Sequence, residues 1–403
     1  MRRLARRAPE AQFGFSVLEI MVGVAIALIG IVVIFQVLTV WESRKRTTSS
    51  GSDAQIAGTV GMYNLERDLR QAGFGFGTSS YMGCTVNAYD ATRAPTTNFT
   101  FGLYPVLITD GAGGAPDTLT VLWGNSALFS ADQTFRVPTT PQTILPANVA
   151  LSINTGKQTG NPAGFQKGDL AIAAGANPAA PPTNLCGLVE ITASALTANN
   201  ADGLTDGLSI GHVSGSYVNY LGNTVTARFN PTAANGLGLA YASGRLYDLG
   251  PYPQLNVWQI INGNTLAWSD QLHNATTWNQ VAEGVINLQA EYGTATDTDG
   301  DGICEPAEAV NLTWGVAVPA NWSCVRAIRV ALLARGQQYE NTPVTTTAPS
   351  WVSGSFVMTN VDGTTDTNPG TSNDWRYYRY RVYQAVVPLR NLIWGQCTPP
   401  ACP

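Results

Sequence analysis

A chain of 403 residues with 22 basic and 27 acidic side chains has a formal net charge of −5, and only 12% of its positions are charged. That length supports a sizeable core in one or two lobes, while the acidic balance argues against nucleic acid as a partner. Abundant glycine, threonine, asparagine and alanine suit short strands joined by many turns and exclude a disordered or coiled-coil chain.

Arg2, Arg3, Arg6 and Arg7 precede Gly14, and from Ile20 to Trp41 there are 22 residues without an ionisable group. As α-helix this run measures about 33 Å, enough to cross a hydrocarbon core of about 30 Å. Basic residues ahead of it hold the N-terminus in the cytoplasm and send the remaining chain across. A cleavable secretory signal has an apolar region of about 7 to 15 residues closed by a small-x-small site; here the run is longer and the glycine comes before it. Glu19 sits at the head of the span, where a carboxylate costs about 2.5 to 3.5 kcal/mol at full depth and needs a partner.

Gly14-Phe15-Ser16-Val17-Leu18-Glu19 resembles the class III signal of type IV pilins. The resemblance implies that a prepilin peptidase cuts between Gly14 and Phe15, that Phe15 is N-methylated, and that the apolar helix is retained. It also implies that Glu19 neutralises the terminal ammonium of a neighbouring subunit, in keeping with the rule that a charge buried among helices is tolerated only when paired. Gln36 stands where pilins often carry a proline, so any local melting of the helix falls to Gly30 or later glycines.

Beyond the span, Glu42 to about Ala72 reads as a continuing helix, with Met62, Leu65, Leu69 and Ala72 on one face and Glu66, Arg67 and Arg70 opposite. Gly73-Phe74-Gly75-Phe76-Gly77 ends it; following a helix instead of opening one, these glycines make a poor phosphate loop. Strands are predicted at Asp117–Trp123, Gly168–Ile172, Gly187–Ile191, from Arg245 onward to Ile286–Tyr292, at Val325–Ala334 and at Tyr377–Pro388. The stretches Val86–Pro116 and Pro343–Asn373 read as long surface loops or inserted hairpins, and Pro178–Asn184 as an exposed loop.

All six cysteines, Cys84, Cys186, Cys304, Cys324, Cys397 and Cys402, lie beyond the span, which favours disulfides. Fifteen pairings are possible and spacing alone does not choose; the working expectation is Cys304 with Cys324 and Cys397 with Cys402, leaving Cys84 with Cys186. No Cys-x2-Cys pair exists and His212 and His273 are the only histidines, so zinc is disfavoured.

Asp297-x-Asp299-x-Asp301-Gly302 followed by Glu308 satisfies a calcium-loop spacing. Asp297, Asp299 and Asp301 can converge on one cation, Ile303 offers a backbone carbonyl, and Glu308 can close the shell with both oxygens. Against this, the preceding segment reads as a strand and Pro306 interrupts the loop, so a solvated acidic turn is the alternative. Metalloprotease and serine-hydrolase motifs are missing, and no enzyme is expected. The ten tryptophans and fifteen tyrosines either pack in cores and turns or line a carbohydrate groove.

Three blocks narrow the resemblance to PilW-type minor pilins: Tyr63 to Gly73 as the end of the helix, Val325 to Leu333 as a late strand, and Tyr380 to Tyr383 with Val387 to Asn391 as a C-terminal signature. The implied fold is α+β and type IV pilin-like, with a long N-terminal helix packed on an enlarged, disulfide-bonded, antiparallel β-rich head. Its expected parts are a leader at 1–14, the membrane half of the helix at 15–41, an amphipathic continuation at 42–76 and the head at 77–403. The resemblance further implies residence in the inner membrane of a Gram-negative bacterium with a periplasmic head, then in the pilus fibre or its tip. Partners would be other minor pilins, the major pilin, the prepilin peptidase, the assembly platform and a tip adhesin. A type II secretion pseudopilin of the J class and a membrane-anchored binding or adhesion module are the alternatives.

Overall fold

The computed structural model describes residue 14 and residues 16–77, 80–127, 132–135, 142–144, 150–154, 164–176, 184–197, 207–232, 237, 239–241, 243–300, 304, 308, 311–364 and 373–395. One helix, α1 (Val17–Leu69, 53 residues), runs unbroken through Gly30 and Gly51. Its first part, Val17–Glu42, has a mean hydropathy of 2.9 and is exposed throughout. Burial begins at Ala54 and continues through Ala57, Met62, Leu65 and Leu69, recurring every three or four residues as one apolar stripe must. Gly73 (φ +80°) and Gly75 (φ +92°) take the left-handed conformations that turn the chain out of the helix.

The stripe is covered by two antiparallel sheets. One has four strands in the order Thr313–Gly315, Val285–Thr294, Val325–Arg335, Tyr380–Pro388. The other has five, ordered Asn279–Glu283, Thr265–Asp270, Gln254–Ile261, Thr118–Trp123, Val106–Thr109. Met62, Leu65 and Leu69 share one core with Leu119, Trp258, Leu288, Ile328 and Leu332 from these sheets. Tyr292 pins the sheets together: its hydroxyl accepts from Ile108 N at 2.7 Å and donates to Val106 O at 3.2 Å. Asp117 does the same, accepting from Ala290 N at 2.7 Å and Gly111 N at 2.9 Å.

A third sheet of six strands holds a second core around Phe76, Leu170, Leu188 and Tyr247. Its one parallel pairing sets Thr85–Tyr89 against Asn184–Glu190, with Val86 opposite Cys186, and the Cys84–Cys186 disulfide lies beside it. Of the two readings of the stretch Val86–Pro116, the surface loop fails and the hairpin holds, since Thr85–Tyr89 pairs antiparallel with Asn98–Gly102. Val86 and Ala88 are fully buried and the strands Thr85–Tyr89, Asn98–Gly102 and Val106–Thr109 fall across it, because each is short enough for flanking turn residues to dilute its period-two signal. The described part of Pro343–Asn373, residues 343–364 and 373, is largely irregular, with a two-residue strand pair, Ser350–Trp351 and Gly354–Ser355.

Three devices fix α1 to the head. Gly58 lets the Tyr383 ring lie against the helix, where an added Cβ would come within 2.0 Å of it. Asn391 Nδ2 donates to Gln71 O at 3.0 Å and Ala72 O at 3.1 Å, tying the turn that follows the helix to the C-terminal end of the head. Asp68, on the buried face three residues after Leu65, accepts from the indole N–H groups of Trp123 and Trp258, each at 2.6 Å. Asn256 Nδ2 spans both carboxylate oxygens at 3.1 and 3.2 Å. Burial pushes the Asp68 carboxyl above its ordinary value, opposed by these donors. Replacing Asp68 with alanine strands the buried Trp258 and half-buried Trp123 indole donors and should cost about 3 kcal/mol. Urea unfolding followed by tryptophan fluorescence measures this; a loss under about 0.5 kcal/mol, the range of a neutral surface change, would contradict the role given to it.

Candidate functional site

The N-terminal group is the first candidate. Ser16 caps α1, accepting from Glu19 N at 3.3 Å, and Glu19 Oε2 accepts from Ser16 N at 3.4 Å, a reciprocal capping box. The carboxylate therefore folds back over the positive end of its own helix, next to where a new terminal amine would arise. Gly14 is exposed, and Phe15 lies outside the described residues.

The acidic loop is the second. Carboxylate oxygens of Asp297, Asp299 and Glu308 lie within 4.8 Å of one another; Asp301 and Ile303 lie outside the described residues. Gly300 N donates to Asp297 Oδ1 at 2.7 Å, bending the loop, and Thr298 N donates to Glu308 Oε1 at 2.7 Å. The Cys304–Cys324 disulfide ties the loop to the start of Val325–Arg335, and the Arg326 guanidinium donates to Cys304 O. The loop is thus stapled through Cys304 to regular structure. Cys397 and Cys402 lie outside the described residues.

Several of the described aromatic residues are packed against neighbours. Arg329 lies 4.3 Å over the Trp314 ring and 5.6 Å from that of Trp351, and it pairs with Glu291, which also accepts from Ser353 Oγ at 2.7 Å. The Trp314 ring rests on Gly293, so the guanidinium and the strand backbone take its contact surface. His273 is a packed group as well: half-buried, with Nδ1 at 2.7 Å from Asp270 Oδ2 and its ring stacked 3.9 Å from Tyr252. His212 Nε2 is buried without a hydrogen-bond partner among the described residues, and burial lowers its pKa to about 4.

Buried acids outside the loop are what sequence reasoning missed. Asp169 and Asp248 are 2% and 1% exposed; burial first, then the neighbouring Asp248 charge, raises Asp169 to about 7, although Gln166 N donates to it. The only sequence signal is an acid flanking an apolar strand. A carboxyl raised this way contributes stability that is present below about pH 4 and is lost as pH rises towards 7. His212 acts oppositely, its contribution being lost as pH falls from about 6.5 to 4. Asp169→Asn should therefore melt higher than the parent at pH 8 and no higher near pH 4; a pH-independent difference in melting temperature would contradict the assignment.

The described geometry meets the comparisons at the C-terminal end. The family model described as Type IV Pilus-assembly protein W matches residues 258–391, about a third of the chain, from Trp258 in the core to Asn391 at the turn that follows the helix. Over that stretch the chain is PilW-like. It takes in the late strand and the C-terminal signature, together with the acidic loop. A solved type IV-like pilin from Thermus thermophilus is similar at 20% identity, covering 35% of this chain and 66% of that one, just under two thirds, with a TM-score of 0.19. A superposition that loose carries no argument. No curated protein matches.

Proposed function

We propose that the chain is a minor pilin that takes part in assembling a type IV pilus, structural and not catalytic. The observation that supports it most is the division of α1. Its first 26 residues, Val17–Glu42, are apolar and uncovered, while the later turns are buried under a β-rich head. An uncovered apolar half about 39 Å long needs either lipid or other helices around it. A single-pass protein drawn from the inner membrane into a fibre has both in turn, with its head in the periplasm and then at the surface. The PilW match over the head supports the same class.

In this reading a prepilin peptidase cuts between Gly14 and Phe15 and Phe15 becomes the methylated terminus. Glu19 then exchanges its capping contact with Ser16 for the ammonium of the subunit ahead of it, so that charge pairing selects the docking register. Other minor pilins, the major pilin and the assembly platform are the partners, and a place at the tip beneath an adhesin follows from being a minor component. Glu19→Ala should leave membrane insertion intact and reduce surface fibres roughly tenfold, the effect of about 1.4 kcal/mol; undiminished piliation in the variant would count against it.

The acidic loop is proposed to hold calcium through Asp297, Asp299, Asp301 and Glu308, with the Ile303 carbonyl. Support comes from the convergence of three of these carboxylates on a loop held by a disulfide. Oxygen donors of this kind suit a hard cation, and extracellular modules bind calcium at about 0.1 to 1 mM. Titration calorimetry should show one calcium bound in that range and none for Asp299→Asn; a parent chain silent at several times these concentrations would exclude the site.

A further inference from the structure

Where α1 leaves the head towards the span, it parts from the edge strand Tyr380–Pro388 and encloses a cleft of about 540 Å³. Gly51, Ser52 and Gln55 form the helix side; Arg379 and Arg381 form the other. Alternation along a strand sets Arg381 on the same face as Tyr383. Beyond the cleft the Tyr383 ring lies against Gly58, and its hydroxyl donates to Gln55 O at 3.1 Å. Arg379 Nε donates to Glu340 at 2.9 Å. Arg381 is exposed and has no hydrogen-bond or ion-pair partner among the described residues. No acidic side chain is among the residues lining the cleft, on a chain whose net charge is −5.

The geometry points to a docking cleft for an acidic side chain, aspartate or glutamate, of a neighbouring pilin subunit. This rests on the pilin reading and goes beyond it by assigning a contact. Charge complementarity selects the chemistry: a locally positive recess on an acidic chain attracts the carboxylates that such chains carry in excess. Position selects the source. Gly51 lies nine residues past Glu42, the end of the span, or about 13 Å of helix, beyond a headgroup layer of about 5 to 8 Å. Lipid phosphates fall short of it, whereas a subunit whose helix packs beside the exposed half of α1 carries its own head to the same height. An arginine can meet a carboxylate with two parallel N–H donors, which would fix the angle between adjacent heads as well as their contact.

The test uses the full chain in its own cells, with p-benzoylphenylalanine at Val344 on the cleft wall. After irradiation, adducts are identified by mass spectrometry in membranes and in sheared fibres. The expected adduct is with a pilin peptide bearing aspartate or glutamate. Its yield should fall roughly tenfold in Arg381→Glu, as loss and reversal of one ion pair allows, and persist in Arg381→Lys. Melting of both variants should match the parent, because Arg381 is exposed. An adduct with lipid, no protein adduct, or a yield indifferent to Arg381→Glu while the chain still enters fibres would overturn the cleft and leave the pilin reading standing. Absence of the chain from fibres would remove both.

Discussion

Asp68 is an acid on the apolar face of a helix, and everything at the junction of helix and head depends on its being satisfied there. Two indoles and an amide, from the adjacent strands Thr118–Trp123 and Gln254–Ile261, converge on its two oxygens. A purely apolar contact would permit sliding along the stripe at small cost, whereas a buried carboxylate with fixed donors accepts one register only. Asn391, at the far end of the chain, closes the carbonyls that follow it. The base of α1 is thus held by residues remote in sequence, and its apolar half projects from a fixed seat.

That seat connects local chemistry to the proposed assembly. Because the buried half of α1 cannot rotate on the sheets, the orientation of the exposed half determines how the head is presented once that half is packed among other helices. Tyr292 and Asp117 bind the two covering sheets to each other, so the platform moves as one piece. The acidic loop and its disulfide sit at the start of the strand Val325–Arg335, on the same platform. The acidic loop therefore stands on a rigid frame, and its spacing relative to the helix is set by that frame.

The helix was legible because it has two unambiguous signals, a run without charge and then a stripe at spacings of three and four. The strands at Thr118–Trp123, Val325–Arg335 and Tyr380–Pro388 were legible for the same reason, being long and regular. Thr85–Tyr89 was not, since its five residues are flanked by turn residues and its pairing with Asn184–Glu190 is parallel and distant. Asp68 left a faint trace, an acid at helical spacing from Leu65, but solvation is the ordinary reading of such a residue, and its partners come from strands more than fifty residues away. The carboxylates of the acidic loop were visible as a spacing; that Asp297, Asp299 and Glu308 converge is a property of the folded loop. Arg381 was visible only as part of the Tyr380 to Tyr383 signature, not as a cleft residue, because the cleft exists only where helix and strand diverge.

The most direct test of the account is the intact mass and N-terminal peptide of the chain recovered from sheared surface fibres and from its native membrane. A chain that begins at N-methylated Phe15, retains the whole of α1 and is present in fibres is the predicted result. A chain that keeps Met1, or is cut after the apolar run and found only free of fibres, would contradict it and leave a β-rich head of another purpose.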